Sequence, residues 1–308
     1  MPLLLFHVLL LLLAVSLAAA PAAYAGEGTV AQASYSYDDE PRMCQKPLPC
    51  GGHVDVHYPF FLVANATLPV DDEQPAQYRP YCGYPGMAVV CDGACAIMKL
   101  SGHNYTILDI SYDDHTVTLA DREVLNGGEC PRVTHNVTVS PSSSLSFTAN
   151  NDNISFFFDC VFTAGTTPAR PTSISPINCS SSFLQAERDS SRVSYVAAQA
   201  DVASQEEWPR ACRTAVVVPV LKDWVQNPEY QQNLNSDGYG EVLKRGFELS
   251  WETSEGPCNV CEQTKGKCSH NHSGEFVGCL CPDGRVRTAD CGKPGLWTQK
   301  LKEEILNM

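Results

Sequence analysis

The chain has 308 residues and a formal net charge of −14, with 35 Asp and Glu against 21 Lys and Arg. That balance argues against nucleic acid or an anionic membrane as partner, since both would be repelled. Its 15 cysteines are an odd number and far above ordinary usage, which in an oxidising compartment reads as a disulfide framework with one thiol free or paired to another chain.

Residues 3–20 are apolar or small apart from His7 and Ser16, and Ala23-Tyr24-Ala25 sets small residues at the −3 and −1 positions of a signal-peptidase site. Residues 1–25 are therefore expected to be a signal peptide, and the mature chain to be secreted. An uncleaved anchor fits less well, because no Lys or Arg precedes the apolar run. Beyond Ala25 no window approaches the ~20 apolar residues of a membrane helix, so no membrane span is expected in the mature chain. Residues 26–43 are small, polar and acidic and predict a flexible leader.

From Cys44 to about Cys130, short alternating runs such as Val54-Asp55-Val56-His57-Tyr58 and Thr116-Val117-Thr118-Leu119 predict β-strands. Residues 105–112 and 116–120 predict two strands joined by a tight turn at Asp113-Asp114-His115. The strand pattern continues over 133–160, with a Ser-rich loop at 140–144 and a buried strand at 154–158. Residues 163–176, rich in Thr, Pro and Ser, predict a linker. After it, 193–202 and 215–221 predict strands, and 241–245 predicts a helix closed by Gly246 before a further strand over 247–251. Six cysteines between Cys258 and Cys291 are too dense for an apolar core and must hold their segment by disulfides. Residues 293–308 form a polar tail. Asn-x-Ser/Thr sequons stand at Asn65, Asn104, Asn136, Asn153, Asn178 and Asn271 and are expected at the surface.

Cys44 and Cys50, Gly51-Gly52, the Tyr58-Pro59-Phe60 tripeptide, Cys82-Gly83-Tyr84-Pro85-Gly86 and Cys91 follow one another in an order that resembles the galacturonan-binding domain of plant wall-associated receptor kinases. Leu108-Asp109-Ile110-Ser111-Tyr112, residues 115–121 and Cys130-Pro131 resemble the second half of that domain in the leaf-rust-resistance-locus type. Residues 246–251, Cys258-x-x-Cys261, Cys268 and residues 276–284 are similar to the wall-associated-kinase C-terminal domain. The resemblance implies an ectodomain that contacts pectin or another wall glycan. Those receptors continue into a membrane helix and a protein kinase, whose Gly-rich loop, His-Arg-Asp and Asp-Phe-Gly elements this sequence lacks.

The resemblance also orders the cysteines. Cys44, Cys50, Cys82, Cys91, Cys130, Cys160, Cys179 and Cys212 fit the family pattern as an even set, and Cys95, without a counterpart, becomes the odd thiol. The last six have an EGF-like rhythm, and that analogy pairs Cys258 with Cys268, Cys261 with Cys279 and Cys281 with Cys291, one of about fifteen possible connectivities. A zinc site on Cys258, Cys261, His270 and His272 is the rival, disfavoured because thiols oxidise during export.

No hydrolase constellation stands out: Asp113-Asp114-His115, the nearest cluster, reads as a solvated turn, and no Gly-x-Ser-x-Gly elbow occurs. Glycan binding would call on aromatic faces and cations, with Tyr81 and Tyr84 in a loop beside Cys82, then Tyr58 and Tyr112, and with Arg79 and Lys99 for uronate carboxylates. Phe60 is expected in the core. Between Arg42 and Arg132 stand six basic and eleven acidic residues, a net of −5, so a pectate ligand would need clustered cations, esterified sugars or a bridging Ca²⁺; no cofactor is otherwise implied.

The expected architecture is mainly β with some α (α+β), in disulfide-rich secreted modules: a galacturonan-binding-like β-rich domain over 44–162, the linker at 163–176, and a C-terminal-like domain with a short helix and a small cysteine-dense, EGF-like piece over 177–292. The expected function is binding of cell-wall pectic polysaccharide without enzymatic activity. The alternatives are an interaction module for a peptide or another receptor ectodomain, or a truncated form of a membrane receptor serine/threonine kinase.

Overall fold

The structure, a computed structural model, describes residues 48–50, 54–63, 81–128, 130–140, 143–165, 168–171, 174, 176–177, 192–198, 202, 207–226, 238–252, 256–271 and 273–292. These are mostly strands with a few short helices and several disulfides, the expected mainly-β α+β class. None of their helices is long and apolar enough to cross a membrane.

The largest sheet joins β3 (Phe61–Val63), β5 (Ala88–Asp92), β6 (Cys95–Leu100), β7 (His103–Ser111), β8 (Thr116–Asp121), β13 (Phe247–Trp251) and β9 (Leu145–Phe147), in that spatial order. Only the β3/β5 pair is parallel. The turn between β7 and β8 falls where the sequence placed it. It is the ring-bearing His115 that adopts a left-handed conformation, at φ 55°, while Ser111 Oγ donates to Asp114 Oδ2 at 2.8 Å.

Strand β10 (Asn151–Val161) lies between β11 (Arg192–Ala198) and β12 (Thr214–Leu221) in a three-stranded sheet. Its run from Ile154 to Phe158 is buried throughout because both faces are covered. Ile154, Phe156 and Phe158 pack with Val216, Val218 and Val220, whereas Phe157 packs on the opposite side with Tyr195 and Trp208. A central strand covered on both faces loses the polar alternation of a half-exposed one.

The helix expected at 241–245 is α3 (Tyr239–Lys244); three others are short: α1 (Arg122–Asn126), α2 (Lys222–Gln226) and α4 (Pro257–Gln263). Gly246 follows α3 at φ 74°, and a Cβ there would stand 2.1 Å from the Leu119 carbonyl oxygen. The glycine both ends the helix and lets β13 enter beside β8. Along β13, Phe247, Leu249 and Trp251 then point inward, with period two.

A four-stranded sheet of order β16-β15-β14-β4 is built from β4 (Tyr81–Cys82), β14 (Lys267–His270), β15 (Phe276–Leu280) and β16 (Val286–Arg287), and β1 (Leu48–Cys50) pairs with β2 (Val54–Val56). The two halves separated at 163–176 in sequence thus share sheets, since β13 enters the first half's sheet and β4 joins the second's. The linker is itself anchored: Ile174 is buried, Pro176 bridges to Tyr195, and Arg170 Nε donates to the Tyr195 hydroxyl at 2.9 Å. Alternation along the chain reports the faces of each strand but carries no record of partners a hundred residues away.

Disulfides join Cys50 to Cys91 and Cys160 to Cys212, and in the last segment Cys258 to Cys268, Cys261 to Cys279 and Cys281 to Cys291. Cys82 and Cys130 are also disulfide-bonded; Cys44 and Cys179 lie outside the described residues. Cys95 is free and half-buried where β6 begins, opposite Asp92. Because Cys258 and Cys261 belong to different disulfides, neither offers zinc a thiolate; the two clusters of three metal-ligand types among the described residues, at Cys279/Cys281/Cys291 and Cys258/Glu262/Cys268, are built on these same oxidised sulfurs.

Candidate functional site

Of the aromatic residues expected to meet a sugar, Tyr84 is buried and Tyr58, Tyr81 and Tyr112 are half-buried, each in contact with other parts of the protein. Residues 57–60 form a turn, closed by Phe60 N–H donating to the His57 carbonyl at 3.0 Å, and Phe60 is buried. From this turn the Tyr58 hydroxyl donates to Glu262 Oε1 on α4, and the Tyr84 hydroxyl donates to the same oxygen at 2.5 Å. The two rings meet edge to face at 5.6 Å. Burial, then the neighbouring Tyr84 and the Glu262 carboxylate, push the Tyr58 phenol far above the ordinary tyrosine range.

Tyr84 is only 2 % exposed and its ring face is closed to any ligand, which corrects its placement in an open loop. Cys82-Gly83-Tyr84 is held on two sides: Tyr84 N–H donates to the Pro59 carbonyl at 2.9 Å, and Gly83 N–H to the Cys268 carbonyl at 3.0 Å. His270 Nδ1–H donates to the Gly83 carbonyl at 2.7 Å, and burial lowers the pKa of this imidazole. Tyr81 stacks on Phe61 at 4.2 Å. Tyr112 stacks on His57 at 3.4 Å and donates its hydroxyl to the Asp55 carbonyl at 2.9 Å; burial pushes its phenol up to about 12. The residues that carry the family resemblance here are joinery between the two halves of the chain. Arg79 lies outside the described residues.

A cleft of about 230 Å³ opens elsewhere, at the end of the large sheet, lined by Gly102, His103, Asn104, Asp121, Arg122, Glu123, Asn126 and His135. Asp121 ends β8 and caps α1, its Oδ1 accepting from Glu123 N–H at 2.7 Å. That cap aims Oδ2 at His135 Nε2, 3.4 Å away, and the Tyr105 hydroxyl lies 3.0 Å from the same nitrogen. The His103 and His135 rings stack almost in parallel, with centroids 3.4 Å apart. Burial depresses the His135 pKa, while Asp121 works against that and His103 with it. Arg122 pairs with Asp92 at 2.5 Å, both side chains staying about two-fifths exposed. Lys99 does not line the cleft, but it is exposed and sits directly opposite Asn104 in the β6/β7 register.

The cleft therefore gathers Arg122 with its partner Asp92, two further carboxylates, two side-chain amides and an imidazole stack, with Lys99 on the neighbouring strand. Such planar, doubly hydrogen-bonding groups match sugar hydroxyls and carboxylates. Of the expected contact residues only Lys99 belongs to this neighbourhood. His103, Asp121, Arg122, Glu123, Asn126 and His135 went unread, although a signal was present: His-Asn-x-Thr occurs twice, at 103–106 and 135–138, and its two histidines are the stacked pair.

The sequon asparagines Asn104, Asn136 and Asn153 are exposed and Asn271 is half-buried; Asn65 and Asn178 lie outside the described residues.

Residues 44–121 match the family described as wall-associated receptor kinase galacturonan-binding, and residues 178–284 match wall-associated receptor kinase C-terminal. The chain is 28 % identical over 264 residues to leaf rust 10 disease-resistance locus receptor-like protein kinase-like 1.2 of Arabidopsis thaliana, covering 83 % of this chain and 34 % of that protein. It is 22 % identical over 199 residues to the like 2.8 protein of the same plant, covering 63 % of this chain and 19 % of that one. The chain thus spans about a third or less of the curated relatives it matches. No solved structure matches it.

Proposed function

Because this chain carries the galacturonan-binding and C-terminal segments of the wall-associated receptor kinases, we propose that it is an extracellular wall-associated receptor ectodomain that binds acidic pectic polysaccharide, with residues 1–25 directing its export. The cleft beside α1 takes one uronate ring of the chain. The observation that supports this placement is the pairing of Lys99 and Arg122 with an amide- and imidazole-lined cleft at the end of the matched segment. A net charge of −5 over 42–132 disfavours polyanions in general, and at the cleft Asp121, Glu123 and Asp92, the partner of Arg122, outnumber the two cations, so a bridging Ca²⁺ would help to hold a uronate there. Arg122 offers a planar fork to a carboxylate, and Lys99 a mobile point charge.

The test is binding of oligogalacturonides of graded methyl esterification, with and without calcium. Unesterified oligomers are expected to bind best, and the Lys99→Ala/Arg122→Ala pair to weaken binding about tenfold or more, as loss of charge-assisted hydrogen bonds does. Tyr81→Ala is expected to leave affinity unchanged. Failure of the chain to bind any acidic glycan, with its N-glycans and without them, would overturn the assignment, and peptide or receptor binding in its place would favour an interaction module.

A further inference from the structure

We propose that Asn104 carries an N-linked oligosaccharide whose innermost N-acetylglucosamine stands in the mouth of the His103/His135 cleft and excludes ligand from it. This rests on the assignment of the cleft as the pectic-glycan site. Asn104-Tyr105-Thr106 is a sequon, and Asn104 is both exposed and part of the cleft wall.

The other described sequons differ. Asn136 Oδ1 accepts from Val217 N–H at 2.8 Å on the edge of β12, and Asn271 Nδ2 donates to Glu275 Oε2 at 2.8 Å while its Oδ1 accepts two backbone N–H groups. Asn153 is exposed on β10 and does not line the cleft. Asn104 alone among these four faces the cleft, and no hydrogen bond of its amide is present among the described residues.

In the transfer, Asn104 Nδ2 displaces a lipid diphosphate from C1 of the secretory pathway's lipid-linked oligosaccharide donor. The N–C1 bond forms, the C1–O bond to the diphosphate breaks with its electron pair staying on the diphosphate, and one amide proton passes to a base of the transferase. The first sugar ring is thereby fixed one bond from the cleft wall. The cleft's 230 Å³ is about eight water volumes, room for little more than one ring, so the attached sugar and a free uronate compete. His103, the outer member of the stack and exposed, is the ring the attached sugar covers.

The test uses the full chain secreted from a host that makes oligomannose glycans. Peptide mass spectrometry reads occupancy at Asn104. Calorimetry with a oligogalacturonide compares the intact protein, the protein trimmed by endoglycosidase to a single N-acetylglucosamine, and Asn104→Gln. Asn104 is expected to be occupied, Asn104→Gln to bind about tenfold tighter than the intact form, and the trimmed form to resemble the intact one. Asn153→Gln, which removes a sequon outside the cleft lining, is expected to match wild type.

An independent readout needs no pectin: carbethoxylation of His103 by diethyl pyrocarbonate should run several-fold faster in Asn104→Gln than in the trimmed form. A vacant Asn104, equal affinities of intact and Asn104→Gln protein, or equal His103 reactivity would overturn the proposal. If no form binds oligogalacturonide, the pectic assignment fails, and occupancy with His103 reactivity still decides the glycan's position.

Discussion

The junction around Glu262 and the cleft around His135 are both polar, aromatic-containing clusters, yet they are built to opposite ends. At the junction two tyrosine hydroxyls converge on one carboxylate oxygen, with Tyr84 sealed and the Cys258–Cys268 disulfide alongside. At the cleft the carboxylates and Arg122 keep exposed surface, and Asn104 has no partner for its amide among the described residues. A carboxylate oxygen on which two protein hydroxyls converge is structural; polar groups left partly open to solvent can exchange water for ligand. Motif content alone does not separate the two, because the tyrosines that carry the family resemblance fall in the closed cluster.

That contrast can be broken most forcefully at Gly266. A Cβ there would lie 2.2 Å from Cys279 Sγ and 2.7 Å from both Cys261 Sγ and Cys291 Sγ, so Gly266→Ala is expected to prevent the native disulfide set, read as lost secretion yield and scrambled bridges on non-reducing peptide mapping. Next comes Glu262→Ala, which strands two tyrosine hydroxyls in a largely buried setting. The cost is about 1–3 kcal/mol for each by denaturant unfolding, less for Glu262→Gln, with oligogalacturonide affinity of the folded protein unchanged. A large affinity loss in Glu262→Gln would place ligand at the junction and erase the distinction.

The Lys99→Ala/Arg122→Ala pair sits below these in stability but inverts the pattern, with about a tenfold affinity loss and an unchanged unfolding midpoint. The smallest effect is pH-dependent. His57, His135 and His270 all have pKa values lowered by burial, so the unfolded chain takes up protons first as pH falls. Their contribution is complete above the unfolded histidine value of about 6.5 and is lost as pH drops below it. Thermal midpoints should fall between pH 7 and pH 5, and His270→Gln should flatten that slope; a midpoint rising over the same interval would contradict the buried imidazoles.

Much of the fold was legible because it is local. The β7/β8 hairpin, the buried centre of β10 and the α3-Gly246-β13 passage each follow from neighbouring residues, through turn chemistry, burial on two faces and a glycine stop. What was not legible depends on distant partners. Tyr84 sits in a Cys-Gly-Tyr-Pro-Gly stretch whose composition is that of an exposed turn, and only Glu262, far along the chain, makes it interior. The cleft likewise needs His103 from the start of β7, Asp121 from the end of β8 and His135 from a loop to arrive together; none of these is unusual in its own window. Lys99 was singled out for its charge, and its position opposite Asn104 follows from a hairpin register the sequence left open.

The insertion of β13 between β8 and β9 also sets an order of events during synthesis. Strands β8 and β9 leave the ribosome about a hundred residues before the strand that bridges them, and until β13 arrives each presents a row of unpaired backbone groups, the kind of edge that recruits a wrong neighbour. The nascent first half must therefore wait in an incomplete state, and pairings this remote are slow to find. Folding of this chain thus depends on whatever guards an open sheet edge until residue 251 emerges.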